Sequence, residues 1–212
     1  ISLELKISIF ENDGTIIPRM SQMSQKTNQF NLTTKRYTEG DILNCINDSN
    51  SDVYAFSIAD KFGESGVTGL CIVFDNSKAE WAEIDTLLMS CRIIGRNIEY
   101  AFMDHVIGKT KEKKISVMKA KYIKTRKNEQ VKEFYDRCSF NLTESTDLVR
   151  NYTFDKSDYK LKNPDRLIDV PSLPHRAVAE LATYRIVFVP ETIGALVFLK
   201  RNKKNLKNIK AG

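Results

Sequence analysis

Leu88-Met-Ser-Cys-Arg-Ile-Ile-Gly-Arg-Asn-Ile-Glu99 decides how the rest of this chain is read. It closes a β-rich run, Trp81–Met89, and opens a helix expected over residues 97–110, with Ile98, Phe102 and Val106 on one face at i, i+4 and i+8. Between them lies a turn, Arg92-x-x-Gly95-x-Asn97. A strand that feeds a helix through such a turn leaves backbone N–H groups without helical partners. They point outward beside the positive end of the helix dipole, worth roughly half a charge, a setting that suits a diphosphate. Gly95 has no Cβ, so a ligand can come close to the backbone, and Arg92 and Arg96 add full positive charge. The plainer reading is a βα connection that binds nothing.

Working outward, the 212 residues have room for one good core plus an appendage, or for two small domains. Hydrophobic content of 42% and charged content of 28% are those of an ordinary globular chain. The net charge of +6 favours anionic partners such as CoA, an acidic carrier protein or nucleic acid, without choosing among them. Cys45, Cys71, Cys91 and Cys138 are widely spaced and form no metal-ligand pattern. Free thiols in a cytoplasmic protein are the simpler expectation, with no metal. No leader or membrane span is visible; the most apolar run, residues 186–199, is interrupted by Pro190 and Glu191 and is too short to cross a bilayer. Neither end reads as a natural terminus, so a fragment or fused reading frame is expected.

Residues 2–10 alternate apolar and polar as a strand does. A helix is expected over 17–25, with Pro18 in its first turn, and another over 41–47 behind a Thr38 cap. Residues 53–59 and 67–74 read as a hairpin around glycines 63 and 66. Strands at 115–122 and 148–154 flank a helix at 129–137. The order is β-α-α-β-β-β-α-β-α-β, a mixed α/β arrangement around one sheet. After Asp155 the composition shifts. Residues 156–170 read as a linker, and 171–212 as a short α/β appendage with helices at 176–181 and 193–201 around a strand at 184–190.

This order resembles the GNAT N-acetyltransferase (acyl-CoA N-acyltransferase) fold: a central, mostly antiparallel mixed sheet flanked by helices, here spanning 1–155. The 92–97 turn resembles that fold's Arg/Gln-x-x-Gly-x-Gly/Ala pyrophosphate loop, with Asn97 where Gly or Ala is usual. Asn128-Glu-Gln-Val-Lys-Glu-Phe-Tyr135 and Phe140 resemble its later Asn-x-x-Ala-x-x-Phe-Tyr-x-x-x-Gly-Phe stretch, with Val131 for Ala and Ser139 for Gly. A closer likeness lies in Ser24-Gln-Lys-Thr-Asn-Gln-Phe-Asn-Leu-Thr-Thr-Lys-Arg-Tyr-Thr-Glu39, Lys61-Phe-Gly63 and residues 84–96. Over about residues 2–155 the chain is similar to the C-terminal domain of FkbH-like proteins. There a haloacid-dehalogenase-type phosphatase domain precedes the GNAT-like one, and the pair is associated with loading glyceryl units onto acyl carrier proteins in polyketide biosynthesis. The phosphatase's Asp-x-Asp strand end is absent here. Residues 184–195 and 208–212 resemble a piece of a zinc-aminopeptidase-like family; Glu191 would stand near the catalytic base, but the metal ligands that should precede it are missing, so a truncated, inactive remnant is expected.

The resemblance implies that a CoA or phosphopantetheine thioester is held by Arg92, Ile94, Gly95, Arg96, Asn97 and Asn128. Backbone groups at Leu88 and Ser90 would pair with the pantetheine arm like an added strand. Either Glu83 or Asp85 can serve as base, Asp85 being preferred of the two because it lies nearer the turn, or they form a plain surface or interdomain ion pair. Tyr135 would protonate the leaving thiolate, or is a core tyrosine. Cys91, beside Arg92 at an expected helix start, would carry an acyl group, or is a small buried residue. Gln25, Asn28, Gln29 and Asn31 form a polar cluster suited to a glyceryl group, or stabilise their own loop. The lysine-rich run 109–127 offers a dock for an acidic carrier protein or the 3′-phosphate of CoA, or is a solvated face. Nucleic acid is a weaker third option, since no aromatic platform accompanies the charge. Three readings therefore stand: an acyltransferase, a non-catalytic carrier-binding module and, third, a nucleic-acid-binding protein that uses the basic strip.

Overall fold

A computed structural model of the chain describes residues 5–60, 63–76, 78–113, 115–155, 182–188 and 195–198. Its strands are β1 (Leu5–Glu11), β2 (Ser51–Asp60), β3 (Gly63–Asn76), β4 (Trp81–Met89), β5 (Val117–Ile123), β6 (Asn141–Ser145), β7 (Val149–Asp155), β8 (Ala182–Phe188) and β9 (Ala195–Phe198). They form one sheet in the order β6-β7-β5-β4-β3-β2-β1-β8-β9. The helices are α1 (Ile17–Lys26), α2 (Glu39–Asn47), α3 (Ile98–Glu112) and the single turn α4 (Phe134–Arg137).

Local chemistry accounts for the helices. Pro18 sits in the first turn of α1, where its missing N–H costs nothing. Thr38 and Asp41 form a reciprocal capping box that starts α2. Ile98, Phe102 and Val106 give α3 a fully buried stripe. Together with Ile84, Leu87, Met89, Phe134 and Tyr135 they build the larger core on one face of the sheet. Ile17, Met20 and Met23 of α1 and Ile42 of α2 cover the other face, against Val53, Leu70, Ile72 and Leu88.

The one parallel pairing among the described strands is β4 with β5, created by the α3 crossover, and it is short. Residues 81–84 pair with 117–120, and the ladder stops there. At the same level β4 is bulged against β3: Ile72 faces Thr86 and Val73 faces Ile84, leaving Asp85 as the extra residue. A bulge bends its strand and raises the local twist, and β4 and β5 part beyond it.

The structure corrects the sequence reading at several points. Residues 129–137 are not one helix but a 3₁₀ turn, Glu129–Val131, followed by α4. β6 lies where no strand was expected; its residues are all exposed, and the single apolar one, Leu142, makes no alternating signal. The helix expected at 193–201 is a strand over Ala195–Phe198, paired with β8; an apolar run of this length fits either form by periodicity alone. β8 pairs in turn with β1, so this hairpin extends the sheet. The expected linker at 156–170 and the helix at 176–181 lie outside the described residues.

Phe56 of β2 is fully buried and faces Gly69 of β3, where a Cβ would run into its ring. Gly69→Ala is expected to destabilise the fold by about 1–3 kcal/mol through overpacking, read as a lower midpoint in urea unfolding with an unchanged slope.

Candidate functional site

The turn after β4 is built as a cradle. The Ser90 N–H donates to Thr68 O at 2.8 Å, ending the strand, and a short 3₁₀ turn follows over Cys91–Ile93. Ile93 is buried and Ile94 packs against the main core, so these two side chains anchor the turn from inside. Gly95 (φ +80°) and Asn97 (φ +60°) both take left-handed backbone, which glycine adopts freely and asparagine tolerates. Arg92, Gly95, Arg96 and Asn97 are exposed. The N–H groups of Gly95, Arg96 and Asn97 donate to no other group among the described residues. The buried carboxylate of Glu99 already occupies the first turn of α3, and it competes with any anion for the helix dipole.

Cys91 differs from expectation. It lies on the 3₁₀ turn, seven residues before the first residue of α3, with an exposed thiol. The dipole of α3, whose effect fades within one turn, does not reach it.

The strand edge expected to receive a pantetheine arm is occupied by the protein itself. Residues 30–33, from the α1–α2 connection, lie antiparallel to β4, with Asn31 bridged to Leu88. Met89 N–H donates to Phe30 O at 3.0 Å, and Leu32 N–H to Leu87 O at 3.1 Å. On the other side Ile123 N–H of β5 donates to Leu32 O at 2.7 Å, so this residue ties the parted strands together. Thr33 Oγ1 donates to Asp85 O at 2.9 Å. Phe30, 2% exposed, meets Phe134 edge-on at 5.2 Å, and Leu32 is fully buried. Burying a Phe or Leu side chain is worth about 2 kcal/mol, and each backbone bond about 1 kcal/mol net. Lifting this segment out would cost on the order of 7 kcal/mol. A ligand bound with micromolar affinity gains about 8 kcal/mol in all.

Leu88 and Ser90 therefore have no backbone edge to offer an arm. Asn128 is also committed. It is fully buried; its Nδ2 donates to Asn31 O and Ile123 O, both at 2.9 Å, and its Oδ1 accepts from Thr125 N–H at 2.7 Å. It locks residues 30–33 to the loop after β5.

The glyceryl cluster resolves into loop amides. Gln25 Nε2 donates to Tyr37 O at 3.2 Å. Asn28 Oδ1 accepts from Arg36 at 2.6 Å. Asn31, fully buried, accepts from Thr34 N–H at 2.8 Å and donates to Thr27 O at 3.4 Å. Gln29 is exposed.

Asp85 projects from the bulge towards the α1–α2 connection, where it accepts from the Tyr37 hydroxyl and the Lys35 ammonium. Burial first, then this bond, holds the Tyr37 phenol well above the usual tyrosine range. Both oxygens of Asp85 thus have donors, so a role as base requires one to leave. Lys35, Tyr37 and Thr33 were not singled out in the sequence; their signal was the alternation of Phe30 and Leu32 with Asn31 and Thr33, a period-2 pattern inside a polar loop. Tyr135 is fully buried among Phe134, Phe140 and Tyr152 on the α3 side. Its hydroxyl has no partner among the described residues, and burial pushes its pKa well above the usual value.

The basic run divides. Lys109 pairs with Glu11 at 3.2 Å, and Lys113 with Asp52 and Asp75 at 2.6 and 2.5 Å, beneath the far end of α3. Lys119 lies 4.8 Å over the Trp81 ring. Arg126 and Lys127 are exposed on the loop after β5. Because β4 and β5 are parallel, that loop shares an end of the sheet with the 92–97 turn. Among the described residues, no His/Cys/Asp/Glu group could hold a metal ion and no helix is long and apolar enough to cross a membrane.

Comparison with solved structures identifies the fold as that of the GNAT N-acetyltransferases. The spermidine N-acetyltransferase of Vibrio cholerae, solved with CoA and spermine, matches with a TM-score of 0.55 at 10% identity, over 71% of this chain and 96% of its own. The GNAT domain of S. lividans PAT matches at 0.55 and 14%, over 69% and 89%. The ribosomal-protein-S18-alanine N-acetyltransferase of Escherichia coli matches at 0.54 and 11%, over 74% and 98%. A family model described as a domain of unknown function (DUF4910) matches residues 173–212. No curated protein matches the chain.

Asn128→Ala is expected to strip a partner each from the buried Asn31 carbonyl and the part-buried Ile123 carbonyl and to cost about 2–3 kcal/mol, measurable by urea denaturation.

Proposed function

We propose that this domain recognises the phosphate end of a pantetheine-bearing acyl donor, CoA or the phosphopantetheine of an acidic acyl carrier protein. The observation that carries the reading is the 92–97 turn. Its unengaged N–H groups belong to a turn that also carries two exposed arginines, at the end of the sheet where Arg126 and Lys127 also lie. Charge of this kind attracts phosphate and an acidic protein surface alike. The likeness of residues 2–155 to the C-terminal domain of FkbH-like proteins supports glyceryl or similar units as the cargo, in polyketide biosynthesis, and a cytoplasmic setting.

Two versions follow. In the first the domain is itself an acyltransferase. Asp85, released from Lys35 or Tyr37, takes a proton from the acceptor, Tyr135 gives one to the leaving thiolate, and Cys91 is available for a covalent acyl group. In the second the domain is a non-catalytic module that docks the carrier, and the chemistry belongs to a phosphatase-type domain of the kind that precedes it in FkbH-like proteins. The occupied edge of β4 favours the second version, because the arm's thioester has no strand to lie against. The Asp85 oxygens, both engaged, point the same way. For residues 171–212 we propose no peptidase role; Glu191 lies outside the described residues.

Calorimetry with CoA tests the site. Arg92→Glu with Arg96→Glu is expected to weaken binding at least tenfold and to flatten its salt dependence, with an unchanged circular dichroism spectrum. Equal affinity in the double variant rejects the turn as the site. Intact-protein mass spectrometry of an acyl-loaded carrier separates the versions: the module leaves the acyl group in place. Turnover that falls with Asp85→Asn and Tyr135→Phe restores the acyltransferase.

A further inference from the structure

The parting of β4 and β5 is the fold's natural opening, and it is filled to the level of the core. The occupant is continuous with the chain, hydrogen-bonded to both strands, and locked by Asn128. None of its four residues is more than slightly exposed: Phe30 2%, Asn31 0%, Leu32 0% and Thr33 4%. A lid poised to open would keep an exposed back, a weakly packed face or a flexible hinge. This segment has side chains in the main core (Phe30 and Leu32) and polar groups spent on β4 and on the loop after β5. Its entry and exit are also tied down. Tyr37 N–H donates to Ser24 Oγ at 3.0 Å, and Asn31 holds both Thr27 and Thr34.

We infer that the opening between β4 and β5 is a permanent seat for the chain's own residues 30–33, so that a pantetheine-bearing ligand of this domain is gripped by its phosphates while its arm stays outside the sheet. The ligand half of this statement rests on the proposed reading of the 92–97 turn; the seat itself does not. The specificity that results is for a diphosphate head beside a 3′-phosphate or an acidic surface, indifferent to the acyl group. Such a site accepts donors that carry different acyl units, because no part of it measures the thioester.

Two measurements on the full chain test the two halves. Amide hydrogen exchange by NMR reads the seat. The N–H groups of Leu32, Met89 and Ile123 are expected to exchange within tenfold of interior β3 amides such as that of Ile72. Exchange more than tenfold faster makes residues 30–33 a movable lid and overturns the seat. Calorimetry reads the grip. CoA and adenosine 3′-phosphate 5′-diphosphate, which is CoA without its arm, are expected to bind with affinities within tenfold of each other, and pantetheine not at all. CoA binding more than tenfold tighter than the truncated ligand overturns the outside position of the arm. Should neither phosphate ligand bind, the turn fails as a site and the ligand half falls with it. The exchange result still decides the seat.

Discussion

Two strands that run parallel and then separate expose backbone donors and acceptors to the middle of a protein. Such groups must find partners, because a buried unpaired amide costs as much as a lost hydrogen bond. Here the separation begins at the Asp85 bulge, and the remedy is a piece of the chain itself. Residues 30–33 supply the carbonyl that Met89 needs, the N–H that Leu87 needs and the carbonyl that Ile123 needs. This requirement organises much of the surrounding structure. It fixes the path of the α1–α2 connection and brings Lys35 and Tyr37 onto Asp85. It also explains why Asn128, far away in sequence, is buried with every polar atom of its side chain engaged.

The same remedy divides the site. The proposed ligand, a pantetheine-bearing molecule, would need two kinds of contact, a turn for its phosphates and a strand edge for its arm. In this chain the turn is exposed and the edge is taken. Asp85 and Tyr135 are both committed to other groups. One is quenched by a cation and a phenol; the other is sealed among aromatic rings.

The fold was legible where periodicity and capping speak for themselves. The apolar stripe of α3, the Thr38 box and the β4 run all map onto real elements, and the element order leads to the GNAT architecture. The turn was legible because Gly95 and two arginines are a local signal. What remained hidden depends on distant partners. Asn31 and Asn128 look like ligand-binding amides in sequence; only the approach of segments almost a hundred positions apart shows that they hold each other. Cys91 was placed at a helix start because the 3₁₀ turn between β4 and α3 leaves no pattern of its own. β6 escaped notice because every residue in it faces water, so no alternation betrays it.

That last strand has a consequence of its own. β6 closes one margin of the sheet, and an unpaired margin invites another chain to add on. It is only five residues long, each of them exposed, and its ladder with β7 slips between Leu142 and Glu144. The irregularity, with an acidic side chain beside it, gives an incoming strand a poor template. That margin is thereby a poor place for another chain to pair edge to edge.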